Sequence, residues 1–271
     1  MQEEQHIQAA RRLHRAEGSR RQITCLSQDH PGMTMADAYA IQAAWVALKL
    51  AGGRRIIGRK IGLTSRAMQS QLGIDIPDSG VLFDDMLFDD GALVPAGRFI
   101  APRVEAEIAF VMGDDLKGPG VGPEQVLAAS ESVAPALEIL DTRIFRADPA
   151  TGYRRTVLDT IADNAANAGL VLGAARHPPD AFDLRRVGVI LKRDGVVEET
   201  GLGAGVLDDP LLGMAWLANR LAEQGDSLRR GEIVLSGSFI RAVEAPPGSA
   251  FHADFGPFGR LSIRFAKGKA T

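Results

Sequence analysis

Two glutamates lie one residue apart in an otherwise apolar run, RFIAPRVEAEIAFV, at positions 98–111. The run predicts a β-strand, in which successive side chains point to opposite faces. Glu105 and Glu107 therefore share one face, and the apolar residues at even positions share the other. Two close carboxylates repel each other and are costly to desolvate, so the pair needs water, protons or a cation. An ordinary solvated strand face is the alternative interpretation.

A third carboxylate occurs in a similar setting. Glu138 lies within SVAPALEILDTR, where apolar residues on both sides predict a strand that is at least partly buried. Oxygen ligands of this kind suit a hard divalent cation such as Mg²⁺ or Mn²⁺, which keeps coordination positions open for water and substrate. The three acids thus predict a metal site, unless each of them is separately solvated.

Two further charged residues could do acid–base chemistry. Lys60, in IIGRKIGLTS, shares a predicted strand face with small residues, which leaves room for a ligand. We expect partial burial to lower its pKa toward a useful range, although a lysine reaching out to solvent is the alternative. Asp78, in IPDSGVLF, is either a second site residue or an ordinary turn aspartate.

Composition excludes several classes of protein. The chain has 271 residues, 45% of them hydrophobic and 24% charged, with a formal net charge of −3. These values are typical of a globular protein. The chain has no block of like charge, so nothing suggests a nucleic-acid or membrane partner. No apolar run is long enough to span a membrane and the N-terminus is polar, so we expect a cytoplasmic protein. The single cysteine, Cys25, excludes an internal disulfide and is interpreted as structural.

The spacing of apolar residues in residues 1–53 predicts two helices, one ending near Gly18 and one running from Thr34 to Gly52. From residue 54 onward short strands separated by glycines dominate, including a hairpin at Asp194-Gly195. Helices are predicted only for GPEQVLAAS and DDPLLGMAWLANRLAEQG. The lack of regular strand–helix alternation predicts an α+β fold with mixed or antiparallel sheets. We expect an N-terminal helical segment, 1–53, joined in one continuous unit to a β-rich domain, 54–271.

Several segments together resemble a known family. They are GRKIGLTSRAMQ, IPDSGVLFDDM, RFIAPRVEAEIAFV, PALEILDTR, DTIADNAANAG and GVLDDPLLGMAWLANRLA. They closely resemble the hydratase and decarboxylase branch of the fumarylacetoacetase-like superfamily, and the resemblance extends over essentially the whole chain. Within this branch, the spacer RIFRADPATGYRRTVLDTIADN is most similar to that of hydratases that act on a seven-carbon dienoate dicarboxylate.

The resemblance implies a fold, a site and an assembly. The fold would be a mixed β-sandwich or roll like the C-terminal domain of fumarylacetoacetase, preceded by helices. Glu105, Glu107 and Glu138 would bind Mg²⁺ or Mn²⁺, Lys60 and Asp78 would line the substrate site, and Thr160 would lie in the pocket. The resemblance also implies a large homo-oligomer.

The implied reaction adds water to 2-hydroxyhepta-2,4-diene-1,7-dioate, formed after cleavage of an aromatic ring. Lys60 would transfer a proton or stabilise the enolate and Asp78 would position or deprotonate water, or the two roles are exchanged. The distal carboxylate requires a cation, for which Arg154 and Arg155 are the candidates.

Three alternative functions stay open. Hydration of the five-carbon 2-hydroxypenta-2,4-dienoate would need the same metal-bound site. A decarboxylase of the 4-oxalocrotonate type would form the same dienolate. A non-catalytic partner of such an enzyme is disfavoured by the intact acids and Lys60. A hydrolase of the superfamily is also disfavoured, because no histidine lies near the segments that contain Lys60 and the paired glutamates.

Overall fold

The computed structural model describes residues 1–65, 69 and 76–268. Within these residues the helices are α1 (Glu3–Ser19), α2 (Leu26–Asp29), α3 (Met35–Ala51), α4 (Pro123–Ala129), α5 (Val157–Ala162) and α6 (Pro210–Ala222). The strands are β1 (Ile56–Gly62), β2 (Asp78–Phe83), β3 (Leu87–Phe88), β4 (Leu93–Val94), β5 (Arg103–Met112), β6 (Ser130–Leu140), β7 (Asn167–Leu172), β8 (Gly188–Arg193), β9 (Val196–Leu202), β10 (Ile233–Ser238), β11 (Val243–Glu244), β12 (Ala250–Asp254) and β13 (Arg260–Phe265). Residues 66–68 of the motif GRKIGLTSRAMQ lie outside the described residues.

The described strands form two sheets. The larger has the order β2-β1-β10-β5-β6-β7-β3, with β11 also paired to β5, and the smaller has the order β4-β13-β12-β8-β9. Parallel pairs (β1 with β10, β3 with β7, β4 with β13) occur beside antiparallel ones, so both sheets are mixed. The predicted α+β class is confirmed.

The alternation predicted for β5 sorts its side chains between two cores. Val104, Ala106, Ile108 and Phe110 are buried against the smaller sheet, in a cluster that includes Phe251 and other residues of β12 and β13. The glutamates lie on the opposite face of the larger sheet. Burial of the apolar face therefore forces the two carboxylates to the other side.

The N-terminal helices pack against that same opposite face of the larger sheet. A buried stripe on α1 and the Ile41 and Trp45 side chains of α3 form one cluster with Phe83, Ala109 and residues of β6, β7 and β10. The rings of Trp45 and Phe83 meet edge to face, with centroids 5.8 Å apart. The helices therefore share a core with the strands that carry the acids.

Local signals predicted several boundaries correctly. α3 begins after Thr34, whose hydroxyl accepts a hydrogen bond from the Asp37 backbone N–H, while Asp37 Oδ2 accepts from Thr34 N. Asp194 and Gly195 both have positive φ, as a tight turn between β8 and β9 requires. Among the described residues, no helix is long and apolar enough to cross a membrane.

Candidate active site

Three glutamates converge on the helix-facing side of the larger sheet. Glu105 and Glu138 are directly opposite each other in the antiparallel pair of β5 and β6, and Glu107 is paired with Ala136. One carboxylate oxygen from each glutamate lies within 4.8 Å of the others. Glu107 and Glu138 are fully buried and Glu105 is half-buried. The sheet register alone is thus enough to gather the three carboxylates.

Neighbouring groups hold two of these acids. The Gly237 backbone N–H donates to Glu107 Oε2 at 2.8 Å, and Asn167 Nδ2 donates to Glu138 Oε1 at 2.7 Å. The second oxygens, Glu107 Oε1 and Glu138 Oε2, are buried with no hydrogen-bond partner among the described residues. Because a buried acceptor without a partner is costly, these oxygens are suited to bind a cation.

The raised pKa values of the glutamates also favour a cation at this site. Burial, followed by the charge of Glu138, raises the pKa of Glu105 to about 8. Burial and the charges of Glu138 and Glu105 raise the pKa of Glu107 well above its ordinary value. Three carboxylate oxygens without histidine or cysteine form a donor set that suits a hard divalent cation, whose charge would offset this repulsion.

Lys60 reaches the cluster from β1. Its Nζ lies 3.5 Å from Glu138 Oε1, and the side chain is almost completely buried. Burial pulls the pKa of Lys60 down, but the charges of Glu138, Asp78 and the other glutamates outweigh it, and the pKa is raised. The predicted lowering of this pKa is therefore wrong, because the sequence pattern did not show how many carboxylates surround the amine.

Asp78 lies beside Lys60, at the start of β2. It is paired in register with Gly62, where a Cβ would come within 2.2 Å of Asp78 Oδ1 and 2.9 Å of Lys60 Nζ. Only glycine leaves room for both side chains at this position. Asp78 is buried, and its Oδ1 has no hydrogen-bond partner among the described residues. Burial raises the pKa of Asp78, an effect that the charge of Lys60 partly offsets.

The other candidate residues, Arg154, Arg155 and Thr160, differ in burial and in their hydrogen-bond partners. Arg155 Nη1 donates to Thr142 Oγ1 at 2.8 Å, and its charge is close enough to act on the pKa of Asp78. Arg154 is exposed. The hydroxyl of Thr160, which is half-buried, donates to the Thr156 carbonyl one turn earlier in α5. No hydrogen bond or ion pair within the described part of the chain joins Thr160 or Arg154 to the glutamates.

Sequence reasoning did not single out several residues that shape this site. Asn167 orients Glu138 and Gly237 orients Glu107. Ser236, on the strand next to β5, has a buried hydroxyl without a hydrogen-bond partner among the described residues. The Asn side chain at 164 accepts from Val81 N and donates to Val81 O, which anchors β2. The density of Asp and Asn in DTIADNAANAG was a usable signal for Asn164 and Asn167, whereas nothing in the sequence pointed to Ser236.

Comparisons with known proteins identify the family of the chain. No family model matches the chain. The chain is 50% identical over 260 residues to the 2-oxo-hept-4-ene-1,7-dioate hydratase of Escherichia coli, covering 96% of this chain and 97% of the relative. A 4-oxalocrotonate decarboxylase from Pseudomonas putida G7, solved with magnesium and adipate, superposes with a TM-score of 0.92 at 35% identity, covering 98% of each chain.

A more distant structure defines the wider class. The fumarylpyruvate hydrolase of Pseudomonas aeruginosa, solved with Mn²⁺ and pyruvate, shares the fold at a TM-score of 0.57 and 15% identity. The superposition covers 77% of this chain and 88% of that chain. The fold is thus that of the fumarylacetoacetase-like proteins. Within that class, the chain belongs to the family of hydratases and decarboxylases that contains the Escherichia coli hydratase and the Pseudomonas putida decarboxylase.

Proposed function

We propose that the chain is a divalent-metal-dependent hydratase that converts 2-hydroxyhepta-2,4-diene-1,7-dioate to 4-hydroxy-2-oxoheptanedioate. The observation that carries the proposal is the convergence of three carboxylates with Lys60 and Asp78. The substrate is proposed from the 50% sequence identity to a hydratase of that substrate class. Mg²⁺ or Mn²⁺ is the proposed cofactor, since solved relatives contain these ions.

Glu105, Glu107 and Glu138 would hold the cation, and Asn167 and the Gly237 N–H would orient two of these ligands. When bound, the cation supplies a Lewis acid that stabilises negative charge on the oxygens at the carboxyl end of the substrate. The unpartnered oxygens Glu107 Oε1 and Glu138 Oε2 support this assignment.

Lys60 and Asp78 would move the protons. The enol first tautomerises, so that a proton leaves the 2-oxygen and one is added at C5. Water then adds its oxygen to C4 and a proton is added at C3. Lys60, with its raised pKa, is charged at neutral pH and is suited to stabilise negative charge or to donate. Asp78, with its raised pKa and free Oδ1, is suited to accept a proton from water.

The test is loss of the dienoate ultraviolet absorbance with metal-stripped protein, before and after Mg²⁺ or Mn²⁺ is added. We expect metal-restored turnover that favours the seven-carbon diacid over the five-carbon monoacid. Preference for the monoacid would retain the chemistry and reject the substrate. Absence of turnover with both substrates in the presence of metal would reject the hydratase function.

Decarboxylation is the second candidate, and the TM-score of 0.92 to a 4-oxalocrotonate decarboxylase is the observation that favours it. A cation held by the same three acids would supply the positive charge that stabilises a dienolate formed by loss of CO₂. Release of CO₂ from a 2-oxo-3-enedioate by the purified chain would establish it. Turnover of either substrate by the chain alone would also exclude a purely non-catalytic role.

The homo-oligomer is a separate prediction. Its test is the mass of the purified protein in solution, measured by light scattering.

A further inference from the structure

Three arginines form a cluster beyond one end of the row of acids. Arg103 is the first residue of β5 and lies on the same strand face as Glu105, two residues away, which corresponds to about 6.8 Å along a strand. Arg103 is therefore the first cation that a ligand would meet when it extends from the acids along β5.

Arg146 and Arg155 complete the cluster from the chain that follows β6. The Arg155 N–H donates to the Arg146 carbonyl at 3.2 Å, which brings the two residues side by side. Arg146 Nη2 donates to the carbonyl of Ala101, two residues before Arg103. Arg155 connects the cluster to the proton-transfer residues, because its charge reaches Asp78 as well as Arg146.

Nearby carboxylates offset the charge of this cluster only in part. Burial lowers the pKa of Arg146 and of Arg155, and the carboxylates that counteract it, Glu244 and Asp141 for Arg146 and Asp163 and Asp159 for Arg155, do not outweigh it. Asp141 accepts from the backbone N–H groups of Ile100 and Ala101, and Glu244, which pairs with Arg103 at 3.0 Å, is mostly exposed. Within residues 1–65, 69 and 76–268, no ion pair involves Arg146 or Arg155.

The cluster also has donors to spare. The Nε atoms of Arg103 and Arg146 are buried without a partner among the described residues. Burial and the like charges of Arg103 and Arg155 lower the pKa of Arg146 to about 10. Unused donors on positive charges that lie close enough to repel one another indicate a site for an anion.

We infer that Arg103, Arg146 and Arg155 bind the distal carboxylate of a dicarboxylate substrate whose other end lies at the three glutamates. This inference rests on the proposed function and adds a binding site to it. Guanidinium groups suit the role because they bind a planar carboxylate through paired hydrogen bonds. Arg146 also lines a cleft of about 270 Å³, together with Pro102 and Glu244, so this arginine is accessible from solvent. Of the two arginines predicted from the sequence, Arg155 belongs to this site and the exposed Arg154 does not.

The variant Arg146→Gln tests the site without touching the acids, Lys60 or Asp78. We expect kcat/KM for the seven-carbon diacid to fall about 10- to 100-fold, the loss typical of one hydrogen-bonded charge pair, with the five-carbon monoacid unaffected. Arg146→Lys, which keeps the charge and loses the paired geometry, should retain part of the preference. Arg260→Gln, at an exposed position of β13, is the matched control. An equal loss for both substrates, or no loss for the diacid, would overturn the inference.

A binding measurement separates this inference from the proposed reaction. Calorimetry with Mg²⁺ present compares adipate with pentanoate, which lacks the second carboxylate, on the wild type and the variants. We expect the wild type to bind adipate more tightly, and Arg146→Gln to lose that difference. If neither dienoate is turned over but the adipate preference depends on Arg146, the hydratase function fails and the carboxylate site stands. If the wild type shows no preference for adipate, the carboxylate site is rejected whatever the turnover.

Discussion

Two buried groups of charges lie close together in this molecule and are built in opposite ways. The guanidinium of Arg143 is fully buried against Trp45, with its Cζ 5.4 Å from the ring centroid, and it is paired with Asp163 through Nε. The Arg143 backbone N–H donates to the other oxygen of Asp163 at 2.9 Å, and the remaining guanidinium nitrogens donate to the Asp163 and Asn167 carbonyls. The glutamate cluster instead places three carboxyl groups beside a single ammonium, that of Lys60, and two of its oxygens have no hydrogen-bond partner among the described residues.

The contrast distinguishes a structural use of buried charge from a functional one. A buried ion pair is tolerated when its charges balance and its donors are used, as at Arg143 and Asp163. The glutamates satisfy neither condition, which is the pattern expected where a ligand completes the site. The two groups are also connected, because the Asn167 carbonyl accepts from Arg143 while its side chain donates to Glu138. The balanced pair thus helps to position Glu138 in the unbalanced cluster.

The largest expected effect is that of Glu107→Gln. Loss of one carboxylate should weaken metal binding and metal-dependent turnover by more than the roughly 10- to 100-fold typical of a residue that only supports a ligand. Glutamine still accepts from the Gly237 N–H, and it removes a repelling charge. We therefore expect the metal-free variant to be at least as stable as the wild type in chemical denaturation.

Calorimetric titration with Mg²⁺ and a turnover assay measure the two losses, with Glu131→Gln, at an exposed position of β6, as the control. Retained metal affinity in Glu107→Gln would contradict the assignment of the cluster as a metal site.

Lys60→Ala should have the next largest effect on activity. Because the amine is proposed to transfer a proton or stabilise charge, we expect kcat to fall by roughly 10²- to 10⁴-fold while the protein still binds Mg²⁺. Single-turnover absorbance measurements at saturating metal would measure the loss of rate. Wild-type kcat in this variant would show that Lys60 has no part in the chemistry.

Arg143→Met tests the balanced pair. Removal of the guanidinium leaves Asp163 buried without its partner, so we expect the free energy of unfolding to fall by about 3–5 kcal/mol. Replacing both residues, as Arg143→Met with Asp163→Leu, should recover part of this loss because no charge is then left unpaired. Urea denaturation measures both variants.

Arg12→Met is the control for this experiment, because it removes a partly exposed ion pair in which Nη1 lies 2.8 Å from Asp29, and it should cost no more than about 1 kcal/mol. A double variant less stable than Arg143→Met alone would contradict the interpretation.

Asp37→Asn should have the smallest of these effects, a loss of about 1 kcal/mol. Asp37 accepts from the N-terminal amine, from Thr34 and from His6, and these hydrogen bonds lower the pKa of its carboxyl below the ordinary value of 3.8. The depressed pKa means that the carboxylate stabilises the fold at neutral pH and that this stabilisation is lost as the pH falls below 3.8. Urea denaturation at neutral and acidic pH checks both parts. A difference between variant and wild type that does not shrink with falling pH would contradict it.

Much of the site was predictable because its signals are local. Period-two alternation in RFIAPRVEAEIAFV placed Glu105 and Glu107 on one face, and the apolar neighbours of Glu138 predicted a second buried strand. The same kind of signal predicted α3 from Thr34 and the hairpin at Asp194-Gly195, because caps and tight turns depend on a few adjacent residues.

The sequence by itself determined the α+β class, the three acids and the two candidate proton-transfer residues. Only the tertiary structure decided how their charges act on one another. The pKa of Lys60 is raised rather than lowered because three separate strands, β2, β5 and β6, bring carboxylates around it, and electrostatic energy depends on distance in space. The arginine cluster has the same origin, since Arg103 and Arg146 are 43 positions apart in the chain (146 minus 103) and meet only when β5 pairs with β6.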